Sequence, residues 1–419
     1  MVRRLQSAIK KSCIRKYGGS NVVQLLSQLG SSIFSEVAAW KRKAAADGID
    51  VIDLGIGSPD QAPSLKVRQA LSQLVLQEDM YAYPALKSGM PFRTKAAEWM
   101  KHRFGVMIDP ATEICTLAGS QDGLAHLAMS IAERGSIAIV PDPGYPIYTA
   151  ALALAGVEPY FMPLVEEHHY LPQLETVPEE IWQRTSFMLL NYPNNPITAV
   201  ADLAFYEQLV AFAKQKNILI VHDLAYSEMG YDGVVPPSIL QVEGAKDIAV
   251  EFHSLSKSFN MAGCRIGFLV GQKEAVAALT ELKANIDYGV FDPIQDAGIV
   301  ALDEAMHDEQ FVRAGNIYQR RRDTFIKQLH QAGWLVTPPH ATMFIWAKLP
   351  SLNGGDRCDG SWSSRMFAKR CLEETGVVVI PGDAFGGQGE GYVRIALVES
   401  EMRLIEAADR LGQFIQKYA

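Results

Sequence analysis

The chain of 419 residues has no apolar run that approaches the roughly 20 residues needed for a membrane-spanning helix. It also has no excess of basic residues, since 39 Lys and Arg stand against 47 Asp and Glu and the formal net charge is −8. Nucleic-acid-binding domains are usually basic, so this composition argues against a nucleic-acid partner. The length is too great for one small core and predicts two packed domains.

Cysteine is scarce, and no CxxC or HExxH motif occurs. The cysteines are odd in number and lie far apart, at Cys13, Cys115, Cys264, Cys358 and Cys371. This scatter predicts reduced thiols in a cytoplasmic protein, and neither a disulfide framework nor a metal site.

Acidic residues are absent from the first twenty positions, which contain six Lys and Arg. A transit peptide has this composition. A basic, frayed terminus has it too, and the weak apolar face of the segment favours this second interpretation. We treat residues 1–30 as an extra basic N-terminal segment.

Seven short runs rich in Val, Ile, Leu and Phe occur between Ile114 and Gly271, separated by helical patterns such as Asp202–Gln215. Short apolar runs without alternation are typical of strands buried on both faces of a parallel sheet, joined by crossover helices. We therefore predict an α/β fold with a mostly parallel seven-stranded sheet flanked by helices. The predicted strands are Ile114–Leu117, Ile137–Val140, Pro159–Met162, Phe187–Leu190, Ile218–Val221, Ile248–Phe252 and Ile266–Val270.

The C-terminal part lacks this rhythm and predicts a smaller α+β domain. Its predicted elements are a long helix at about Asp303–Ala332, a strand near Met343–Ala347, a loop at Ser351–Ser364, a helix at about Arg365–Thr375, strands near Val377–Ile380 and Tyr392–Ala396, and a final helix. The segment before Tyr83 lacks the rhythm too, and we expect it to pack with this tail. The predicted small domain comprises residues 31–82 and 303–419, and the large domain comprises residues 83–302.

Polar side chains follow four of the predicted strands. They are Tyr145, Asn195, Asp223 with Tyr226, and Lys257. Ligands of open α/β sheets bind outside the carboxyl ends of the strands, so these side chains form a candidate active site. Each also has an ordinary explanation, as turn chemistry, a helix cap or a solvated lysine.

Lys257 is the most informative of these residues, because it lies in a run of serines eight residues before Arg265. Hydroxyl groups and a planar guanidinium suit a phosphate. A buried lysine beside a phosphate site indicates a cofactor that is carried covalently on the lysine.

Several motifs in one order resemble the class I/II, fold-type-I pyridoxal-phosphate-dependent aminotransferases, from about Ser32 to the C-terminus. Within that family the chain most resembles the LL-diaminopimelate aminotransferase subgroup. The motifs are Asp53–Asp60, Gly119–Gly123, Pro141–Pro146, Asn191–Pro196, His222–Tyr226, Phe252–Lys257, Asn285–Phe291 and Gly391–Ala396.

The resemblance implies a role in cofactor chemistry for five residues. Lys257 binds pyridoxal 5'-phosphate covalently and later acts as the base. Asp223 pairs with the pyridine nitrogen and keeps it protonated. Tyr226 and Asn195 donate to the ring oxygen, and Tyr145 stacks on the ring.

The resemblance also implies binding roles for the remaining candidates. Ser120 and Gln121 open a helix at the phosphate, and Ser254 and Arg265 complete the phosphate site. Arg394 binds the substrate α-carboxylate, with Gly57 beside it. Tyr83, favoured over Tyr81, reaches the phosphate from the partner subunit, which implies a homodimer with shared active sites.

The sequence departs from the family pattern at three places, which comprise five residues. Ile197-Thr198 replaces the usual Thr-Gly, and Gln121-Asp122 replaces the usual Lys-Glu of the phosphate turn. Tyr288 stands where the subgroup has serine, close to the expected position of substrate side chains. We expect the chemistry to survive these changes and the substrate to be affected.

The predicted function is therefore transamination between an amino acid, with a polar or acidic donor such as LL-diaminopimelate or aspartate favoured, and a 2-oxo acid such as 2-oxoglutarate. A pyridoxal-phosphate lyase or decarboxylase on the same fold is the main alternative, since it would share Lys257, Asp223 and Arg265. A dinucleotide-dependent oxidoreductase is disfavoured, because Gly55-Ile-Gly57 is followed by Ser-Pro and not by a helix-opening glycine. A catalytically dead binding protein fits the fold but not the full set of cofactor residue types.

Overall fold

A computed structural model of the chain describes residues 33–84, 89–309 and 311–419. The basic segment predicted at residues 1–30 lies outside these residues. Within the three described ranges, no helix is both long and apolar enough to cross a membrane.

The elements of the first third of the chain are α1 Ile33–Ala46, β1 Ile52–Asp53, α2 Leu65–Leu74, α3 Met90–Phe104, β2 Ile114–Leu117, α4 Ser120–Ile131, β3 Ile137–Asp142, α5 Ile147–Ala155 and β4 Glu158–Pro163. Those of the middle are α6 Glu179–Trp182, β5 Thr185–Asn191, α7 Leu203–Lys216, β6 Leu219–Asp223, β7 Ala249–Ser254, α8 Leu255–Ser258, β8 Gly267–Gly271, α9 Lys273–Ile286 and α10 Asp292–His307. The last are α11 Gly315–Gln331, β9 Phe344–Lys348, α12 Ser364–Thr375, β10 Val377–Val378, β11 Ile380–Pro381, β12 Tyr392–Ala396 and α13 Glu401–Tyr418.

The main sheet has seven strands in the order β2-β8-β7-β6-β5-β3-β4. Strand β8 runs antiparallel to β2 and to β7, and the other neighbours are parallel. The predicted mostly parallel seven-stranded sheet is confirmed, and each predicted strand lies at its expected place. Because β7, β6, β5 and β3 are adjacent and parallel, their carboxyl ends meet at one edge of the sheet.

Burial and capping explain the local structure around this edge. Strands β3, β6 and β7 are almost wholly buried, as their many apolar residues predict, although β6 and β7 also bury polar side chains. Helix α7 begins where the Asp202 carboxylate accepts from Phe205 N at 2.8 Å, and it ends at Asn217 in the left-handed conformation.

The C-terminal part contains an antiparallel sheet in the order β11-β12-β9 and a parallel pair of β1 with β10. Ile52 and Leu54 join a buried cluster whose other members include Trp334, Phe344 and Ile395. The segment before Tyr83 therefore packs with the tail through β1. Helix α2 instead packs against α10, and α10 spans the predicted boundary at 302/303.

The single long helix predicted at about 303–332 is wrong, because α10 ends at His307 and α11 begins at Gly315. Between the two helices Phe311 packs on Phe259, with ring centroids 6.1 Å apart. Gly315 N donates to Glu228 O at 3.1 Å, and a β-carbon at Gly315 would press against Gly230 O. Tertiary contacts with residues 228–230 and 259 thus interrupt a helical pattern that is continuous in sequence.

Candidate active site

A cavity of about 630 Å³ opens at the carboxyl ends of the parallel strands. All the predicted site residues except Tyr83 line it, namely Gly57, Ser120, Gln121, Tyr145, Asn195, Asp223, Tyr226, Ser254, Lys257, Arg265 and Arg394. Side chains from five strand or helix ends and from the C-terminal sheet therefore face one space.

Lys257 lies on α8, a single helical turn capped by the Ser254 hydroxyl, which accepts from Ser256 N at 3.2 Å. Its Nζ donates to the carbonyl of Gly57. Burial, and next the positive charges of Arg394 and Arg265, lower the pKa of Lys257 to about 8. A much larger share of this amine is therefore neutral near pH 7 than for an ordinary lysine, as a nucleophilic amine requires.

Asp223 ends β6 and is buried. Its Oδ2 accepts from Tyr148 OH at 2.9 Å, and its Oδ1 accepts from Ala225 N at 3.3 Å. Burial raises the pKa of Asp223, while the hydrogen bond from Tyr148 and the neighbouring His222 oppose that rise. A cation placed beside this carboxylate would favour its charged form.

Arg394 on β12 is buried and lies between two aromatic rings, 4.3 Å from the centroid of Phe344 and 4.8 Å from that of Phe385. One guanidinium nitrogen donates to Asn195 Oδ1 at 2.9 Å and the other to Gly55 O at 3.1 Å. Burial lowers the pKa of Arg394 to about 10. The side chain is thus a desolvated, oriented cation at the cavity wall, which suits a carboxylate.

The opposite end of the cavity has the chemistry of an anion site. Helix α4 begins at Ser120 after Gly119, whose φ is +82°, and a β-carbon at Gly119 would collide with the guanidinium of Arg265. The N-terminus of α4, the Ser254 hydroxyl and Arg265 therefore converge, as expected for a phosphate. Gln121 Oε1 accepts from Tyr145 OH at 3.0 Å, which fixes that ring beside the same space.

The sequence matches the family model described as aminotransferase class I and II over residues 49–411. This chain is a class I and II aminotransferase. It transfers an amino group between an amino acid and a 2-oxo acid, and it uses pyridoxal 5'-phosphate.

The aminotransferase is similar along most of its length to relatives named as LL-diaminopimelate aminotransferases. LL-diaminopimelate aminotransferase 2 of Trichormus variabilis is 42% identical over 387 residues, which cover 92% of this chain and 96% of the relative. LL-diaminopimelate aminotransferase of Nitratidesulfovibrio vulgaris is 42% identical over 93% of this chain and 97% of its own.

Solved structures give the same fold. BacF of Bacillus subtilis has a TM-score of 0.84 at 34% identity, covering 91% of this aminotransferase and 94% of BacF. A probable N-succinyldiaminopimelate aminotransferase of Thermus thermophilus has a TM-score of 0.83 at 36% identity, covering 91% of this chain and all of the other.

The residues present in the aminotransferase fit pyridoxal phosphate. The anion site, a buried carboxylate that suits a ring nitrogen, and a lysine of lowered pKa all line one cavity, and these are the groups that the cofactor's phosphate, ring and aldehyde require. In the described ranges, no group of three or more His, Cys, Asp or Glu side chains is placed to hold a metal ion.

Tyr83 is the one predicted site residue that the described chain does not bring to the cavity. Its side chain is 70% exposed, and its ring lies 5.5 Å from that of Tyr288. Tyr288 is exposed too and does not line this cavity in its own chain. Tyr81 is engaged locally, since its hydroxyl donates to Val75 O at 2.7 Å.

The other departures from the family pattern leave the site intact. Thr198 adopts φ +69°, the left-handed conformation that favours glycine, so threonine tolerates the turn after Asn195. Asp122 turns away from the anion site and accepts from Ala118 N at 3.0 Å while pairing with Lys283.

Sequence reasoning missed Tyr148, Phe34, Ile56 and Phe385. Tyr148 lies three residues after Tyr145, in the first turn of α5, and the two rings are in contact with centroids 5.9 Å apart. Phe34 and Ile56 line the cavity from α1 and from the loop after β1, and nothing in their local sequence indicates it.

Proposed function

We propose that this aminotransferase acts on a polar or acidic amino donor, with LL-diaminopimelate and aspartate favoured, and on a 2-oxo acid such as 2-oxoglutarate. The observation that carries the reaction type is the buried Arg394 guanidinium, held by Asn195 and Gly55 in the cavity that contains Lys257 and Asp223, because both proposed substrates have an α-carboxylate. The names of the relatives from Trichormus variabilis and Nitratidesulfovibrio vulgaris support the choice of donor.

In the proposed reaction Arg394 binds the α-carboxylate with its planar fork and fixes the orientation of the α-carbon. Once it no longer carries the cofactor, Lys257 Nζ would take up the α-proton of the substrate and hold it for return, which its lowered pKa permits near neutral pH. When bound, pyridoxal phosphate supplies the electron sink that lets the α-proton leave.

The remaining residues hold the cofactor in this proposal. Asp223 stabilises a protonated ring nitrogen, and Tyr148 holds the carboxylate in place through its 2.9 Å hydrogen bond. Tyr226 and Asn195 donate to the ring oxygen, and Tyr145 covers one face of the ring. Ser120, Gln121, Ser254 and Arg265 hold the phosphate, and Gly57 leaves room for the substrate beside Arg394.

The cavity surface available to a substrate side chain contains cationic, apolar and neutral polar groups. Among the described residues that line the cavity, the cations are Lys257, Arg265 and Arg394, each with a role already proposed. Phe34 and Ile56 add apolar surface, and Ser58 adds a hydroxyl. The partner of a distal carboxylate would therefore be a neutral donor or a residue of the other subunit, such as Tyr288.

We expect kcat/KM for diaminopimelate or aspartate to exceed that for leucine about tenfold or more, since a site built for polar groups rejects an apolar analogue. Half-reaction absorbance across a panel of amino acids measures this. Tyr288→Ser is expected to raise kcat/KM for the longer donor, and Tyr288→Phe separates the hydroxyl from the volume of the ring. A wild-type preference for an aliphatic apolar donor would overturn the assignment.

We also propose a homodimer in which Tyr83 reaches the phosphate of the partner subunit. The exposed side chain of Tyr83, outside the cavity of its own chain, supports this arrangement.

We also propose a small domain of residues 31–82 and 303–419 and a large domain of residues 83–302. The pairing of β1 with β10 supports this division, and α10 spans the boundary. A cytoplasmic location accords with the free thiols of the described residues Cys115, Cys264, Cys358 and Cys371.

Mixing Tyr83→Phe subunits with Lys257→Ala subunits tests the shared site. If Tyr83 acts in trans, the mixed dimer has one site with both lesions and one site with neither, so we expect one site of normal affinity for the cofactor. Separate homodimers of each variant are the controls. Mixed dimers that show only the kinetics of Tyr83→Phe would place Tyr83 in its own site.

A further inference from the structure

Asp142, at the end of β3, joins the edge of the main sheet to residues 382–389 of the C-terminal part. Its Oδ1 accepts from Gln388 N at 3.1 Å, and two residues later Gly144 N donates to Phe385 O at 2.8 Å. Gly386, with φ +138°, lies against the carboxylate so closely that a β-carbon there would collide with Asp142 Oδ1. The contact therefore depends on a glycine at 386 as well as on the carboxylate.

Phe385 transmits this contact to the cavity. Its ring centroid lies 4.8 Å from the guanidinium carbon of Arg394, which also lies 4.3 Å from the centroid of Phe344, and its ring makes an edge contact with Phe34 at 5.8 Å. Among the described residues Arg394 Nε has no hydrogen-bond partner, so the plane of the guanidinium is set by the two rings and by the bonds to Asn195 and Gly55. A shift of Phe385 would change the orientation of the guanidinium.

A second cavity, of about 640 Å³, borders the same contact and is lined by Gly144, Tyr145, Phe385 and Gly386. Tyr145 lines the catalytic cavity as well, whereas residues 384–386 do not. The hydrogen bonds to Asp142 and Gly144 therefore hold a segment that borders open space, and Phe385 connects this segment to Arg394.

We propose that Asp142 is a positioning residue that holds Phe385 against Arg394 and so sets the affinity of the enzyme for the α-carboxylates of both its substrates. The inference rests on the proposed role of Arg394. The amino acid and the 2-oxo acid share that guanidinium, so a disturbed Asp142 contact weakens both in parallel. Within the described residues, the hydrogen bonds of Lys257, Asp223, Ser254 and Arg265 do not involve Phe385.

The test is steady-state kinetics of the holoenzyme with Asp142→Ala and the milder Asp142→Asn, which keeps one acceptor oxygen. We expect KM for the amino acid and for the 2-oxo acid to rise together, about tenfold in the alanine variant and less in the asparagine variant. We expect kcat, cofactor affinity and the visible absorption spectrum to stay unchanged. Arg394 binds the α-carboxylate equally in the ground state and the transition state, so weakening this contact raises KM without changing kcat. Unchanged KM values, or a change in kcat or the spectrum in their place, would overturn the proposal.

Two further variants make the result specific. Gly386→Ala should raise both KM values, and by a smaller factor when Asp142 is already alanine, because the collision partner is then gone. Asp232→Asn is the matched control, since Asp232 also joins the main sheet region to the C-terminal part, through Arg322 and His340, without touching Phe385. It should lower thermal stability without a parallel rise in KM.

Arg394→Ala distinguishes a failure of the proposed role of Arg394 from a failure of the proposed role of Asp142. If it leaves KM for both substrates unchanged, the proposed function of Arg394 fails. If it raises both KM values and Asp142→Ala does not, only the role of Asp142 fails.

Discussion

Replacing Lys257 with alanine is expected to remove the covalent attachment of the cofactor and to lower kcat/KM by at least about 10⁴-fold, since the variant loses both its nucleophile and its general base. The fold should survive, because the hydrogen bond from Nζ goes to the Gly57 carbonyl at the cavity and the side chain belongs to none of the apolar clusters. Absorption in the visible range, which reports the covalent link, should disappear while thermal stability without cofactor stays near that of the wild type.

The site of attachment is mapped by borohydride reduction and peptide analysis of the wild type. In the cofactor-free protein, labelling of Lys257 by pyridoxal should rise with pH through about 8, because the neutral amine reacts and burial lowers its pKa to that value. Lys283 is the matched control, a buried lysine whose hydrogen bonds to Asp122 and Asp287 outweigh burial and raise its pKa. Labelling of Lys283, or of any lysine in place of Lys257, would contradict the assignment.

Most of the sheet strands were predictable because they are buried on both faces and are therefore rich in apolar residues, whereas the edge strand β4 is mostly exposed. The ends of β3, β5, β6 and β7 were predictable as a set for the same reason, since parallel neighbours bring their carboxyl ends together. The break between α10 and α11 was not predictable, because it depends on contacts with Phe259 and with residues 228–230, which are remote in sequence.

In the candidate site, too, some features follow from local sequence and others depend on remote contacts. Asp223 and Lys257 stand directly at strand ends, so local sequence locates them. The groups that form hydrogen bonds with their side chains are remote in sequence. Tyr148 reaches Asp223 across 75 positions and Lys257 meets the Gly57 carbonyl across 200. Such contacts are products of the tertiary fold, and single-sequence patterns do not contain them.

Asp223→Ala is expected to bind pyridoxal phosphate and to lose at least about 10²-fold in the rate of the half-reaction, because a fixed charge that stabilises the transition state is removed. Cofactor binding should persist, since the phosphate site and Lys257 lie on other elements. Asp223→Asn keeps the shape and the acceptor for Tyr148 but has no charge, so a loss close to that of alanine would assign the effect to charge.

Tyr148→Phe tests how the carboxylate is held. It removes the 2.9 Å hydrogen bond and leaves the charge, so we expect a loss of about tenfold in the half-reaction rate, much less than for Asp223→Ala. The hydrogen bond favours the ionised form against the burial that raises the pKa of Asp223. Without it the carboxylate protonates at higher pH, so the acidic limb of the pH–rate profile should move to higher pH.

Near-normal half-reaction rates in Asp223→Ala would show that the ring nitrogen does not depend on this carboxylate. An unshifted profile in Tyr148→Phe would show that the tyrosine only fills space.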